Sequence, residues 1–297
     1  MGFFVTNMYG LLRTLRPKQW IKNVFVFGAL VFDQKLTNGP LLAKTFAAFL
    51  LFCMISSTVY IINDLADLEK DKQHPKKSRR ALPSGQLKPW FAIASAVTIL
   101  AIFLPLSFWL DVYFGLIVLG YFLLNLAYSF VLKHLVIIDV MVVASGFVLR
   151  VAAGAVVAQA ERFSPWIYVC TIFLALFMVI GRRRHELTLL ADGANCHRKI
   201  LEEYTVDFLD EMSHLVTTGT ILSYSLYTFS AVNLPANHAM MLTIPFVIYG
   251  LFRYQYLIHV KGQGGAPEMM VYSDLPFLLN GLLWAISVVL IMYVFGP

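Results

Sequence analysis

Asn63, Asp64, Asp67 and Asp71 put four oxygen-bearing side chains along one edge of a short stretch, Tyr60-Ile61-Ile62-Asn63-Asp64-Leu65-Ala66-Asp67-Leu68-Glu69-Lys70-Asp71. In a continuous helix Asn63, Asp67 and Asp71 stand at i, i+4 and i+8 on one stripe, with Asp64 bordering it. Eight residues of helix rise about 12 Å, enough to line one wall of a cavity. Stacked carboxylates repel one another and need cations to coexist. Hard oxygen donors favour Mg2+, which keeps waters and shares its coordination with phosphates. The chemistry indicated is departure of a diphosphate whose developing charge a metal neutralises. The plainer reading is a solvated helix end where Asp67 and Asp71 pair with neighbouring lysines. Four such groups on one edge favour the metal site, so Asn63, Asp64, Asp67 and Asp71 are the candidate Mg2+ ligands.

Basic side chains lie where the anion would sit. The run Asp71-Lys72-Gln73-His74-Pro75-Lys76-Lys77-Ser78-Arg79-Arg80 leads into Pro83-Ser84-Gly85, and its prolines break the helix into a basic loop. Arg16-Pro17-Lys18-Gln19-Trp20-Ile21-Lys22-Asn23 opens the first apolar segment, with Lys22 four residues past Lys18. Tyr128 and Lys133 flank a short turn, and Gly181-Arg182-Arg183-Arg184-His185-Glu186 closes a later apolar run. Arg150 falls inside an apolar segment, eleven residues past Asp139 and about three helical turns along the same face. A charge there needs a partner or a polar cavity, and an ion pair with Asp139 is the structural alternative to a ligand contact. For Lys76 and Arg79, a topology signal suffices. His74, His134 and His185 lack metal-ligand spacing and read as surface or supporting residues.

These groups must be positioned by membrane-spanning elements. Of 297 residues 59% are hydrophobic and only 13% charged, too apolar for an ordinary soluble domain. Nine apolar segments are long enough to cross a bilayer: 18–36, 41–64, 90–109, 112–132, 136–159, 165–181, 214–232, 239–258 and 276–295. We therefore expect an all-α, polytopic protein in which residues 1–297 form a single membrane-embedded domain. With nine crossings, all but four of the 23 lysines and arginines (Lys35, Lys44, Arg150 and Arg162) share one side with the N-terminus. The positive-inside rule makes that side cytoplasmic. The net charge of +6 suits anionic headgroups and phosphate ligands; nucleic acid is excluded, because no soluble basic domain exists to hold it. No cleavable signal peptide is expected. Cys53 and Cys170 sit in apolar segments as filler and Cys196 in a polar loop, so neither a disulfide framework nor structural zinc is expected.

The Asn63-x-x-x-Asp67-x-x-x-Asp71 pattern at the end of the second apolar segment resembles the first acidic motif of the UbiA-type membrane prenyltransferase superfamily. The basic elements resemble more closely its branch of decaprenyl-phosphate phosphoribosyltransferases. They are Arg16 to Asn23, His74-Pro75-x-Lys77 with Arg80, Tyr128 with Leu132-Lys133-His134, Arg150, Gly181-Arg182-Arg183 with Glu186-Leu187, and Arg198-Lys199 with Glu203-Tyr204-Thr205. The likeness runs from about residue 13 to about 270.

The resemblance implies nine helices around a central cavity opening to the cytoplasm, in a bacterial plasma membrane. It implies Mg2+-dependent transfer of a 5-phosphoribosyl group from phosphoribosyl diphosphate to a polyprenyl phosphate. The catalytic set would be Asp64, Asp67, Asp71, Tyr128 and Glu186. Substrate contacts would come from Lys22, Asn63, Lys77, Arg80, Tyr128, Lys133, Arg150, Arg182 and Arg183. The superfamily's second aspartate-rich motif is replaced by Gly181-Arg182-Arg183-Arg184-His185-Glu186, which suits a more anionic load. The rival enzyme reading is transfer of the prenyl chain itself from its diphosphate to an aromatic or other small acceptor. A transporter predicts inverted repeats, and no second copy of the acidic stripe is present. Assembly as a homo-oligomer is compatible with the sequence.

Overall fold

The computed structural model describes residues 2–74, 77–160, 164–191, 199–262, 270 and 273–295, and the described residues contain helices and no strand. A first helix, α1 (Gly2–Thr14), is followed by a 3-10 segment, Pro17–Phe27, and a single short turn, α2 (Gly28–Phe32). Then come α3 (Gly39–Ala66), α4 (Leu68–Gln73), α5 (Pro89–Leu110), α6 (Val112–Phe130) and α7 (Ile138–Val157). The bundle is completed by α8 (Pro165–Ala191), α9 (Val206–Ser230), α10 (Ile244–His259) and α11 (Leu275–Val294).

Seven helical stretches among the described residues are long and apolar enough to cross a membrane: α3, α5, α6, α7, Pro165–Thr188, Ala239–His259 and α11. Three expected spans differ. Residues 18–36 do not form a continuous α-helix, because Pro17 and Gly28 punctuate the segment and its first eleven residues wind as a 3-10 helix. The 3-10 piece rises about 22 Å and α2 about 8 Å, so together they match a bilayer core. The segment does run between opposite ends of α3, since Arg16 contacts Asp64 while Asn38 caps Leu41. The span expected at 214–232 begins earlier, at Val206, where Thr205 caps it by accepting from the Phe208 amide. The one expected at 165–181 continues to Ala191. Arg182–Glu186 and Arg183–Glu186 pairs carry that helix past its apolar run.

Two cores place the site. Val26, Phe52, Ile55, Phe114, Tyr121 and Ala153 lock the 3-10 segment against α3, α6 and α7. Val140, Phe147, Ile180, Leu209, Leu251 and Leu257 join α7, α8, α9 and α10. The tightest approach is at Gly154, where an added Cβ would lie 2.0 Å from the Val26 carbonyl oxygen. Only glycine lets the 3-10 backbone sit that close to α7. Outward faces of α5 and α11 carry exposed Ile93, Val97, Trp109, Leu282, Ile286 and Leu290, as lipid contact requires. Arg13 of α1 donates to Gln86, and Asn7 accepts from the Lys88 amide, which fastens α1 over the end of the bundle where α3 stops.

Candidate active site

α3 does not run on through the acidic motif. It ends at Ala66, and Asp67 takes a non-helical φ of −97° and ψ of 7° before α4 restarts. The hydrogen-bond ladder bridges the break, because the Asp67 amide reaches the Asn63 carbonyl at 3.0 Å and the Asp71 amide the Asp67 carbonyl at 2.8 Å. The expected continuous stripe is thus a kinked one. The kink separates the acids: Asp64 and Asp71 are buried on one side, and Asp67 is directed to another partner.

Each carboxylate meets cations from a different segment. Arg16 sits in the left-handed region (φ 52°) just before Pro17, and its Nη2 donates to Asp64 Oδ1. Arg80 Nη1 donates to Asp64 Oδ1 at 3.1 Å and to Asp71 Oδ2 at 2.7 Å. Lys77 Nζ stands 3.7 Å from Asp71 Oδ1. Lys133 Nζ donates to Asp67 Oδ1 at 2.7 Å from the turn after α6. The neighbouring lysines Lys70 and Lys72 take no part; Lys72 pairs with exposed Glu69 instead. The partners are therefore not those of a simple solvated helix end, and the loop after α4 folds back over the acids. His74 accepts from the Lys77 amide. Burial, together with Lys77 and Arg80, outweighs Asp71 and holds its imidazole below the usual histidine pKa.

A second cluster adjoins the first. Asp139 is fully buried and accepts from Arg183 Nε at 2.8 Å and from the Tyr204 hydroxyl at 2.7 Å. Arg183 also donates to Glu186 Oε2 at 2.7 Å and to the Tyr128 hydroxyl at 3.2 Å. Arg182, exposed, donates to the other Glu186 oxygen at 3.1 Å. The α6–α7 corner joins the two clusters: Tyr128 at its start reaches Arg183, and Lys133 five residues on reaches Asp67. The corner closes with an uncommon γ-turn. Ile137 has φ 69° and ψ −45°, and the Ile138 amide donates to the Val136 carbonyl at 2.8 Å. For a β-branched residue this is strained. The Ile137 amide is held at 2.7 Å by the Tyr204 hydroxyl, so the strained corner and the buried Asp139 share one anchor.

The structure brings together Asp64, Asp67, Asp71, Lys77, Arg80, Tyr128, Lys133, Arg182, Arg183 and Glu186 of the expected set. Asn63 sits partly buried one position before Asp64, and Lys22 lies partly buried in the 3-10 segment. Arg150 stands apart. Its guanidinium donates to Asn23 Oδ1 (2.7 Å), the Gly146 carbonyl (2.6 Å) and the Tyr121 hydroxyl (2.9 Å). The rings of Phe52, Tyr121 and Phe147 surround it at 4.8–5.5 Å. Asn23 in turn donates to Ser56, eight residues and about 12 Å before Asp64 on α3. The alternative considered for Arg150, an ion pair with Asp139, does not form, since eleven helical residues separate the two by about 16 Å along the axis. Asp139 pairs with Arg183 instead. Arg16, Asp139 and Tyr204 belong to the site without having been singled out as site residues, although each lay in a segment already marked by its chemistry. Cys196 and Arg198 lie outside the described residues.

In chemical terms, the acids supply hard oxygen donors of the kind Mg2+ prefers. Among the described residues, no three His, Cys, Asp or Glu side chains converge on a point that could hold a metal ion. Each acid is instead engaged by a guanidinium or an ammonium group. The donor set thus fits a metal once an anion of high charge draws those cations away. Deeper in the bundle, an apolar cavity of about 510 Å³ is bounded by α2, α8, α9, α10 and α11, with Phe177, Met178 and Tyr254 at the end nearer the arginines.

The UbiA prenyltransferase family model matches residues 24–279. The chain is 33% identical to the decaprenyl-phosphate phosphoribosyltransferase of Corynebacterium glutamicum, over 96% of this chain and 87% of that protein. It is 32% identical to the protein of the same name from Mycobacterium tuberculosis, over 94% and 93% respectively. A UbiA homologue from Archaeoglobus fulgidus bound to GPP and Mg2+ superposes with a TM-score of 0.72 at 19% identity, covering 96% of this chain and 99% of that one. The fold and the near full-length likeness agree: the chain belongs to the UbiA prenyltransferase family.

Proposed function

We propose that the protein transfers a 5-phosphoribosyl group from phosphoribosyl diphosphate to a polyprenyl phosphate, releasing diphosphate. The observation that carries this reading is the interleaving of Asp64, Asp67 and Asp71 with Arg16, Lys77, Arg80 and Lys133. Such a set offers an incoming metal–diphosphate both kinds of counter-ion at once. Support for the donor and acceptor comes from the relatives, which are named as phosphoribosyltransferases acting on decaprenyl phosphate. In place of further aspartates, α8 presents Arg182 and Arg183 just past its apolar run, a charge pattern suited to two phosphorylated substrates.

The chain's own residues would act by exchanging partners. Phosphate oxygens compete for Arg16, Lys77, Arg80 and Lys133, freeing Asp64, Asp67 and Asp71. With Asn63, these would hold Mg2+, which neutralises charge on the departing diphosphate. Arg183, fixed by Asp139, would present donors to the ribosyl phosphate, with Tyr128 and Glu186 orienting the sugar and Arg182 at the rim. An oxygen of the lipid phosphate forms the new bond to the ribose anomeric carbon as the bond to diphosphate breaks. That oxygen is already anionic, so positioning rather than a general base dominates. Lys22, in the 3-10 segment, would add a further cation for the phosphates. Arg150, about 12 Å deeper, braces the wall between α3, α6 and α7 rather than gripping the diphosphate. The 3-10 crossing and α9 complete nine passages of a bacterial plasma membrane, with the basic end and the site on the cytoplasmic side.

The test is donor choice. Purified protein with Mg2+, labelled phosphoribosyl diphosphate and polyprenyl phosphate should yield labelled lipid. Turnover of prenyl diphosphate with an aromatic acid, and no labelled lipid, would replace this reading with ordinary prenyl transfer.

A further inference from the structure

Helix α1 turns polar and small side chains toward the protein and apolar ones away from it. Asn7 (2% exposed), Thr14 (4%) and Gly10 are buried against the bundle, with Leu11 partly so. Phe4, Val5, Met8, Tyr9 and Leu12 face outward, each 38–62% exposed. At about 100° per residue these five fill an arc of about 140°. Asn7, Gly10, Leu11 and Thr14 occupy the arc against the protein, and exposed Thr6 and Arg13 lie on the remaining side. A helix resting on a bundle in water shows the reverse order, so the apolar arc calls for a cover.

Depth decides what covers it. Arg13 donates to Gln86, a Cβ added at Gly10 would meet Leu87 at 3.0 Å, and Asn7 accepts from the Lys88 amide. Phe4 sets its ring edge-on to Phe91 at 6.1 Å. From Arg13 back to Phe4 the helix therefore passes only from Gln86 to Phe91, the third residue of α5. It stays level with the first turn of α5 instead of descending beside it. Its 13 residues rise about 20 Å, too little to cross a bilayer. Phe91 also meets Trp90 edge-on at 5.6 Å, and Trp90 heads the exposed row Trp90, Ile93 and Val97 on α5. Ring contacts thus join the apolar arc of α1 to the lipid-facing side of α5, at the depth where aromatic side chains mark the bilayer interface.

We propose that α1 lies in the plane of the membrane, with Phe4, Val5, Met8, Tyr9 and Leu12 sunk in the leaflet on the side of the acidic site and Thr6 and Arg13 toward water. Arg13 and exposed Lys88 stand at headgroup level, where anionic lipid adds attraction. The seat bears on the site. Arg16, two residues past the helix, pairs with Asp64, and Arg13 Nη2 reaches the Arg79 carbonyl beside Arg80 at 3.4 Å. The leaflet thereby holds both cation-bearing segments that meet Asp64. The inference is independent of the transferase reading, because depth is read without turnover.

The test uses full-length protein carrying Cys196→Ser, with Cys53 and Cys170 left in place because both are buried. Leu12→Cys or Thr6→Cys, both at exposed positions, is labelled with bimane. The protein is then reconstituted into vesicles of phosphatidylcholine and phosphatidylglycerol whose acyl chains carry bromine at shallow or deep positions. We expect shallow bromines to remove about half or more of the fluorescence at position 12 while aqueous iodide removes little, and the order to reverse at position 6. Strong iodide quenching at position 12 without bromine quenching would overturn the inference. So would strongest quenching by deep bromines, which places the helix alongside α5. A label at position 12 shielded from both quenchers, with unlabelled Leu12→Cys chains joining through disulfides, would give the face to a second copy and equally reject the membrane seat.

Discussion

A single nitrogen of Arg80 bridges Asp64 and Asp71, at 3.1 and 2.7 Å, across the kink that separates α3 from α4. Both carboxylates are almost fully buried. The pairing makes the basic loop after α4 part of the acidic site rather than a cover over it. It also explains how three carboxylates coexist within eight residues in the absence of substrate.

Removing that bridge should be felt in stability as well as in catalysis. Arg80→Ala removes a donor shared by both acids, leaving Arg16 on Asp64 and Lys77 on Asp71. Breaking a buried pair usually costs 3–5 kcal/mol, and the partial exposure of Arg80 places the loss nearer about 2 kcal/mol. Thermal unfolding in detergent should show a clear decrease, with Arg80→Lys intermediate. An unchanged midpoint in Arg80→Ala would mean that the loop does not hold the acids.

Asp139→Ala should be among the most damaging substitutions outside the acidic motif. It strips Arg183 of its most buried partner and leaves the Tyr204 hydroxyl without an acceptor. We expect a loss of about 3 kcal/mol in unfolding free energy. Asp139→Asn keeps an acceptor for Tyr204 and should retain more stability while still weakening donor affinity. Unfolding midpoints of the two variants, measured side by side, check the order.

Tyr128→Phe deletes one hydrogen bond to Arg183 and leaves the corner intact. The expected effect is a fall in kcat/KM for the phosphoribosyl donor of up to about tenfold, with the unfolding midpoint nearly unchanged. Steady-state kinetics varying donor concentration would show it. A wild-type kcat/KM would remove Tyr128 from the sugar contact.

Asp274 caps α11 by accepting from the Phe277 amide at 2.9 Å and pairs with Arg253 at 2.8 Å. The Arg253 hydrogen bond outweighs burial and lowers its pKa below the usual carboxylate value. A depressed carboxyl group contributes stability that is full above the unfolded-state pKa and is lost as pH falls through the folded one. Between pH 5 and pH 8 this contribution should therefore be constant. Asp274→Ala should lower stability by about 1 kcal/mol across that whole range. Unfolding midpoints at several pH values would reveal any slope.

Much of this arrangement was legible in the sequence. Apolar runs located α3, α5, α6, α7 and α11 within a few residues, because a lipid-facing helix must be apolar nearly all round. The acidic and basic groups were recognisable by type. What failed were inferences needing axial distance or backbone detail. Asp139 and Arg150 share a helix face, but face says nothing of the 16 Å or so between them. Residues 18–36 read as a helix, since hydropathy does not distinguish a 3-10 segment, and the close contact at Gly154 joins residues far apart in the chain. Asp67, at the kink, pairs with Lys133 from another segment, and no local spacing encodes that partner.

The most direct test of the central claim is turnover in Asp67→Ala. Phosphoribosyl transfer to polyprenyl phosphate should disappear, while the variant remains membrane-inserted and unfolds cooperatively near the temperature of the unmodified protein. Near-normal transfer by that folded variant would contradict the account.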